Sequence, residues 1–206
     1  MRLSSLLLIL FAGLFLTACA TMNKNECVSA DWEMIGYEDG SNGASAGRLQ
    51  KHREACAKHS VTPDFSQYQS GYDEGLKRFC TDRVGFTKGK SGYNYKGICP
   101  ADLEAGFLKG YSLGLEFYHL NQKVRSAENS VQIKEQQIVD LNAEISALTR
   151  ERYDVTTTTE RLNEVFDLLL EKNAELTALE DDLLDLKLAV ASAEGELRQL
   201  EDKSPY

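Results

Sequence analysis

The sequence predicts a mostly α protein: a small disulfide-stapled, glycine- and aromatic-rich helical head followed by a long coiled-coil helix or helical hairpin. Three observations carry that expectation. Composition changes near His119, because residues 19–118 hold 13 Gly and 13 aromatic residues while residues 119–206 hold one Gly and three aromatics. Four of the five cysteines fall between Cys27 and Cys99, and none lies beyond. Apolar residues of the second segment recur at alternating steps of three and four, the period of a coiled coil. The expected organisation is a leader at 1–18, a head at 19–118, a coiled-coil tail at 119–203 and a disordered end at 204–206.

The chain opens with Arg2 and an apolar run from Leu6 to Leu16, the charged and hydrophobic regions of a secretory signal. That run is too short to span a bilayer as a mature helix. It ends in Leu16-Thr17-Ala18-Cys19, which resembles a lipoprotein box, and the resemblance implies cleavage before Cys19 and lipidation of its thiol. Several acyl chains on one cysteine anchor stably, at about 0.8 kcal/mol per buried methylene. Ala20 rather than Asp follows. By the sorting pattern of Gram-negative lipoproteins this points to the outer membrane, with the chain facing the periplasm.

Charge divides at the same place as composition. Residues 19–118 carry 12 Lys and Arg against 13 Asp and Glu, whereas residues 119–206 carry 10 against 19. So acidic a chain repels nucleic acid, which is excluded as a partner. With Cys19 taken by lipid, Cys27, Cys56, Cys80 and Cys99 remain, an even number in an exported segment, which predicts two disulfides. Three pairings are possible. Cys27 with Cys56 and Cys80 with Cys99 is favoured, because each closes a short local loop around one structural unit.

Along the head a Gly-Tyr-x-x-Gly pattern returns three times, at Gly36–Gly40, Gly71–Gly75 and Gly110–Gly114. The second and third copies extend further: Tyr68-x2-Gly71-Tyr72-x2-Gly75-Leu76-x2-Phe79 matches Phe107-x2-Gly110-Tyr111-x2-Gly114-Leu115-x2-Tyr118. Glycines four apart share one helix face. Each costs about 1 kcal/mol in a helix relative to Ala, so two in one turn need an offset such as close helix–helix approach. Gly36, Gly40, Gly71, Gly75, Gly110 and Gly114 are therefore expected as packing faces, although Asp39-Gly40 and Asn42-Gly43 fit turns equally well. Ser29 or Asp31, Thr62-Pro63-Asp64 and Pro100-Ala101-Asp102 supply helix starts, and Arg48 to His59 reads as a further helix. Arg83 to Cys99, with four glycines among aromatics, reads as a loop or small hairpin closed by Cys80 and Cys99.

Several signals invite chemistry. Gly85-Phe86-Thr87-Lys88-Gly89-Lys90-Ser91 is one residue short of a phosphate-binding loop and lacks its strand and helix context, so no nucleotide is expected. His52-x3-Cys56-x2-His59 has ligand spacing on a helix, but an oxidised Cys56 leaves no metal site. Glu38, Asp39, Asp73 and Glu74 occupy equivalent places in two copies and could share a proton if buried together. No nucleophile with a base partner assembles by spacing; no catalytic residue and no cofactor are expected. Phe86, Tyr93 and Tyr95 form a possible ligand loop for a glycan or peptide.

In the tail, Val131, Ile138, Leu141, Ile145, Leu148 and Val155 form one heptad run. A stronger run holds Leu162, Val165, Leu169, Leu176, Leu179, Leu183, Leu186, Val190, Ala193, Leu197 and Leu200, interrupted by Lys172. The runs are out of register by three, and Thr156 to Thr159, β-branched and weak in helix preference, lie between them. One solution is a continuous helix about 125 Å long, at about 1.5 Å per residue. The other is a hairpin whose arms pack together, with Thr159 as cap. The lack of Gly or Pro at the break tips the reading toward the continuous or kinked rod, whose exposed seam would call for oligomerisation.

Trp32-x3-Gly36-x2-Asp39-Gly40, Cys56, Tyr68-x2-Gly71-x3-Gly75, Cys80, Gly89-x2-Gly92-x2-Tyr95-x-Gly97-x-Cys99-Pro100 and Phe107-x2-Gly110-x3-Gly114 resemble a Gram-negative envelope lipoprotein family of unknown function. The resemblance covers Cys27 to about Tyr118 and implies a small, disulfide-containing, largely helical domain with no assigned activity. The resulting expectation is a non-enzymatic outer-membrane lipoprotein, held to the membrane by its N-terminal lipid. It would act as a periplasmic scaffold, spacer or assembly partner through its coiled coil, as a homo-oligomer or with a coiled-coil protein partner. The alternative is a periplasmic binding module using the aromatic head loop.

Overall fold

The computed structural model describes residues 22–206, so the leader and the lipidation at Cys19 lie outside the described residues. Seven helices are present among them: α1 (Lys24–Val28), α2 (Trp32–Ser41), α3 (Arg48–Ala57), α4 (Phe65–Phe79), α5 (Asp82–Lys90), α6 (Ala101–Arg152) and α7 (Thr159–Lys203). No described residue lies in a strand. The chain forms two compact units. One comprises the described residues up to Gly85 together with Asn94–Gly110, and the other Phe86–Tyr93 together with Tyr111–Tyr206.

In the first unit, acidic and amide caps set the helix starts. Asn23 and Glu26 form a reciprocal capping box on α1, Asp31 accepts from Met34 N to start α2, and Asp64 accepts from Gln67 N to start α4. The first glycine copy is therefore helical, and the turn reading of Asp39-Gly40 is set aside. Both glycine pairs lie at one crossing, where α2 and α4 touch backbone to backbone. A Cβ on Gly36 would strike the Tyr68 carbonyl, one on Gly40 that of Tyr72, one on Gly71 that of Glu33, and one on Gly75 that of Tyr37. Trp32, Tyr68, Tyr72, Leu76, Phe79 and Phe107 are buried in this unit. Disulfides join Cys27 to Cys56 and Cys80 to Cys99. Each contributes about 3 kcal/mol by restricting the unfolded chain.

Residues 82–90 form a helix, which corrects the loop or hairpin expected from Arg83 onward. Gly85-Phe86-Thr87-Lys88-Gly89-Lys90-Ser91-Gly92 repeats the spacing of Gly36-Tyr37-Glu38-Asp39-Gly40-Ser41-Asn42-Gly43. In the second unit, a Cβ on Gly89 would strike the Tyr111 carbonyl and one on Gly114 that of Phe86. The near phosphate-loop is thus a fourth glycine-packing segment. Both short helices end alike. Gly43 (φ 72°) and Gly92 (φ 70°) take the left-handed conformation. Their N–H groups donate to Gly40 O and Gly89 O, and the following amides of Ala44 and Tyr93 reach Asp39 O and Lys88 O. This is the Schellman stop, which only Gly enters without strain. The Tyr72 hydroxyl donates to Ala44 O and the Tyr111 hydroxyl to Tyr93 O, each at 2.6 Å. Three sequence copies and this fourth segment thus become two helix pairs, α2 with α4 and α5 with α6, built on one plan.

α6 runs through the composition boundary at His119 without a break and continues to Arg152. The chain then turns at 153–158 and returns as α7, so the tail is an antiparallel hairpin and the favoured continuous rod is corrected. Ion pairs cross it in antiparallel order: Lys123 with Glu196, Lys134 with Asp182, Lys172 with Glu144, and Glu151 with Arg161. Threonine side chains make the turn without Gly or Pro. Thr156 donates from N and Oγ1 to Asp154, Thr157 Oγ1 donates to Glu151 O, and Thr158, one residue earlier than expected, caps α7. Val155, assigned to the seam from sequence, sits in this turn and is 99% exposed. The remaining seam residues face inward. Leu141, Val165 and Ala193 are buried, and the others are half-buried because only two helices share the seam. Lys172, the interruption, reaches Glu144 and Glu175. The end at 204–206, expected as disordered, carries the Tyr206 ring onto Phe86 at 4.6 Å between centroids.

Candidate functional site

The two helix pairs share a frame but not their polar contents, and the difference isolates a side-chain cluster. Asp39 sits one residue before the second glycine of α2, where Lys88 sits in α5; Tyr68 on α4 corresponds to Phe107 on α6. In the first pair Asp39 Oδ2 accepts from the Tyr68 hydroxyl at 2.8 Å and meets His52 Nε2 at 2.8 Å. Arg48 Nε lies 3.6 Å from Oδ1. Tyr68 is 2% and His52 5% exposed, whereas the Arg48 side chain is 44% exposed. A carboxylate at Nε2 makes that ring nitrogen the donor, which directs Nδ1 to the other side of the ring. Nδ1 is buried with no hydrogen-bond partner. Rings of Trp32 and Tyr68 lie 6.4 and 6.2 Å from the imidazole and close the cluster.

Burial pushes the Tyr68 phenol far above its ordinary value of 10.0, and the hydrogen bond to Asp39 and its negative charge push it further in the same direction. The sign of the pH effect follows. Above about pH 10 the unfolded chain releases this proton while the folded chain keeps it, so this contribution to stability is complete below pH 10 and is lost as pH rises. The expected slope approaches about 1.4 kcal/mol per pH unit. Thermal melts above pH 10 should show Tyr68→Phe losing less stability per pH unit than the native chain; equal slopes would refute the assignment.

Of the four carboxylates singled out by spacing, only Asp39 turns inward; Glu38, Asp73 and Glu74 are exposed, with Glu74 on Lys77. His52, Cys56 and His59 are not brought together as ligands, since Cys56 is held by Cys27 and His52 by Asp39. Among the described residues, no three His, Cys, Asp or Glu side chains converge as a metal would require. The three aromatics expected in a ligand loop do not share one loop. Phe86 lies inside α5, its ring against Phe117 and Tyr206. The Tyr93 carbonyl is taken by Tyr111, and Lys88 lies over its ring. The Tyr95 ring packs on Phe107 while its hydroxyl donates to Glu104 and accepts from Cys99 N. Arg48 and Tyr68 were missed as partners of Asp39, and no spacing signal linked three separate helices.

Residues 31–116 match the family model described as protein of unknown function (DUF2799). The DUF2799 segment runs from the α2 cap at Asp31 to Glu116 in α6, and so takes in both helix pairs and the Asp39 cluster. The remainder of α6 and all of α7 lie beyond it. No curated protein and no solved structure matches the chain.

Proposed function

We propose that this chain is a non-enzymatic outer-membrane lipoprotein, anchored through Cys19, that serves as a periplasmic scaffold or assembly partner through its coiled-coil hairpin. The observation that carries the reading is the hairpin itself. Two long helices cover each other's seam, so no second copy is needed to bury it, and their outer faces are left for another protein. The spacer version loses reach, because α7 measures about 68 Å at about 1.5 Å per residue, roughly half of the continuous rod. The anchor rests on Leu16-Thr17-Ala18-Cys19, and no described helix is long and apolar enough to cross a membrane. The polar atoms of the Asp39 cluster are spent largely on one another, which favours a packing role over turnover. A glycan- or peptide-binding loop finds no support in the placement of Phe86, Tyr93 and Tyr95.

Fractionation and mass spectrometry of the native chain test the reading. The expected result is a chain beginning at acylated Cys19 that sediments with outer membrane, while Cys19→Ser moves to the soluble fraction. A photo-crosslinking residue at Val155 of the full chain should give a discrete adduct in cells. A soluble, unacylated native chain would overturn the anchor, and the absence of any hairpin adduct would overturn the assembly role.

A further inference from the structure

The two hairpin helices differ in charge. α7 carries 13 Asp and Glu against 5 Lys and Arg, whereas residues 119–152 carry five of each. Among the described residues, five of the 13 carboxylates on α7 are ion-paired and eight are not; Glu160, Glu180, Glu201 and Asp202 belong to the unpaired eight but lie outside the stretch or off the face considered next. Glu164, Glu175, Asp182, Glu194 and Glu196 are paired with cations. Asp167, Glu171, Asp181 and Asp185 are exposed, and none has a cationic partner among the described residues. These four do not scatter. Asp167-x2-Leu170-Glu171 and Asp181-x2-Leu184-Asp185 are the same pattern 14 residues apart, two heptads, which returns it to one face. That face is turned away from the seam, since Val165, Leu169, Leu176 and Leu183 lie on the opposite side of the helix. Leu170, Leu184 and Leu188 on its flank are 59%, 60% and 61% exposed.

A solvated face needs no leucines, and a surface for a second copy would not be lined with unneutralised carboxylates. Exposed leucines beside unpaired acids at heptad spacing complement a helix with a leucine stripe flanked by Lys or Arg. Like charges facing each other are penalised, while opposite charges steer and register a partner. We infer that the outward face of α7, from Asp167 to Leu188, docks a basic amphipathic helix of a partner protein. The inference rests on the assembly reading above and names the class of partner. Asp167 to Leu188 spans about 32 Å, three heptads, so the partner helix needs about 22 residues.

Isothermal titration of the exported chain carrying Cys19→Ser, with a synthetic peptide of about 22 residues, tests this. The peptide has Leu at heptad a and d and Lys at e and g; a control peptide replaces every Leu with Ser. The expected result is saturable 1:1 binding of the Leu–Lys peptide, at least tenfold weaker for Leu184→Ser/Leu188→Ser and for Asp181→Asn/Asp185→Asn. The acid variant should also flatten the salt dependence. All four side chains are exposed, and unchanged circular dichroism confirms that each variant folds. Equal binding by native chain and variants overturns the inference, as does equal binding of the control peptide, which would show charge attraction alone. A native dimer that Leu184→Ser/Leu188→Ser dissociates would assign the face to a second copy and also overturn it. Peptide binding can fail while the anchor and the Val155 adduct persist, so the two readings are separable.

Discussion

Gly71→Ala lowers the melting temperature of the chain by about 4–8 °C, whereas Gly106→Ala and Gly195→Ala each raise it by about 2–4 °C. All three glycines are helical, so Ala gains the same propensity at each, about 1 kcal/mol. What differs is the space. A methyl at Gly71 would enter the Glu33 carbonyl and stand 2.9 Å from Tyr37 N, both backbone atoms of α2 that no rotamer can move. Relief requires α2 and α4 to separate, which loosens the packing of Tyr68, Tyr72 and Leu76 together. Overpacking of this kind costs about 3 kcal/mol and outweighs the propensity gain. At Gly106 and Gly195 nothing lies within 4 Å of the added carbon. The opposite signs are the diagnostic: if Gly71→Ala were neutral or stabilising, the backbone contact between α2 and α4 would not exist in solution.

Asp39→Ala is expected to cost about 3 kcal/mol, the second large effect, read by thermal or urea melts. Removing the carboxylate strands the Tyr68 hydroxyl and His52 Nε2, both buried, and an orphaned buried polar group costs about 1–3 kcal/mol. Tyr68→Phe alone should cost only about 1 kcal/mol, since it removes one donor and leaves Asp39 with His52 and Arg48. The double variant should therefore be more stable than Asp39→Ala plus Tyr68→Phe summed, by about 1 kcal/mol or more. Simple additivity would mean that the two side chains do not share a bond.

Much of the helical plan could be read in advance because its signals are local. Asp31 and Asp64 cap where capping residues were expected, and the three- and four-residue steps of α7 mark its buried stripe almost residue by residue. Gly36, Gly40, Gly71 and Gly75 announced close approach because two interior glycines in one turn are costly unless something offsets them. The fourth segment at Gly85–Gly92 was equally legible in spacing but was obscured by its likeness to a phosphate loop. The Asp39 cluster was legible only as scattered residues, since His52 is 13 positions from Asp39 and Tyr68 is 29.

The sequence by itself determined the longer helices, the cysteine-bearing head, the acidic tail and nearly all of the residues that fill its seam, all consequences of chemistry within a few turns of one chain. Tertiary structure decided which glycine face meets which, that Asp39 rather than its neighbours turns inward, and that the tail folds back on itself. The physical reason is the same in each case. A helix can close its own hydrogen bonds, but it cannot satisfy an exposed apolar stripe, a bare glycine face or a buried carboxylate, and the groups that do so lie far along the chain. At the threonine break the balance tipped toward the hairpin. Asp154, Thr156 and Thr157 satisfy the turn's backbone without Gly or Pro, and the arms then bury one another's leucines.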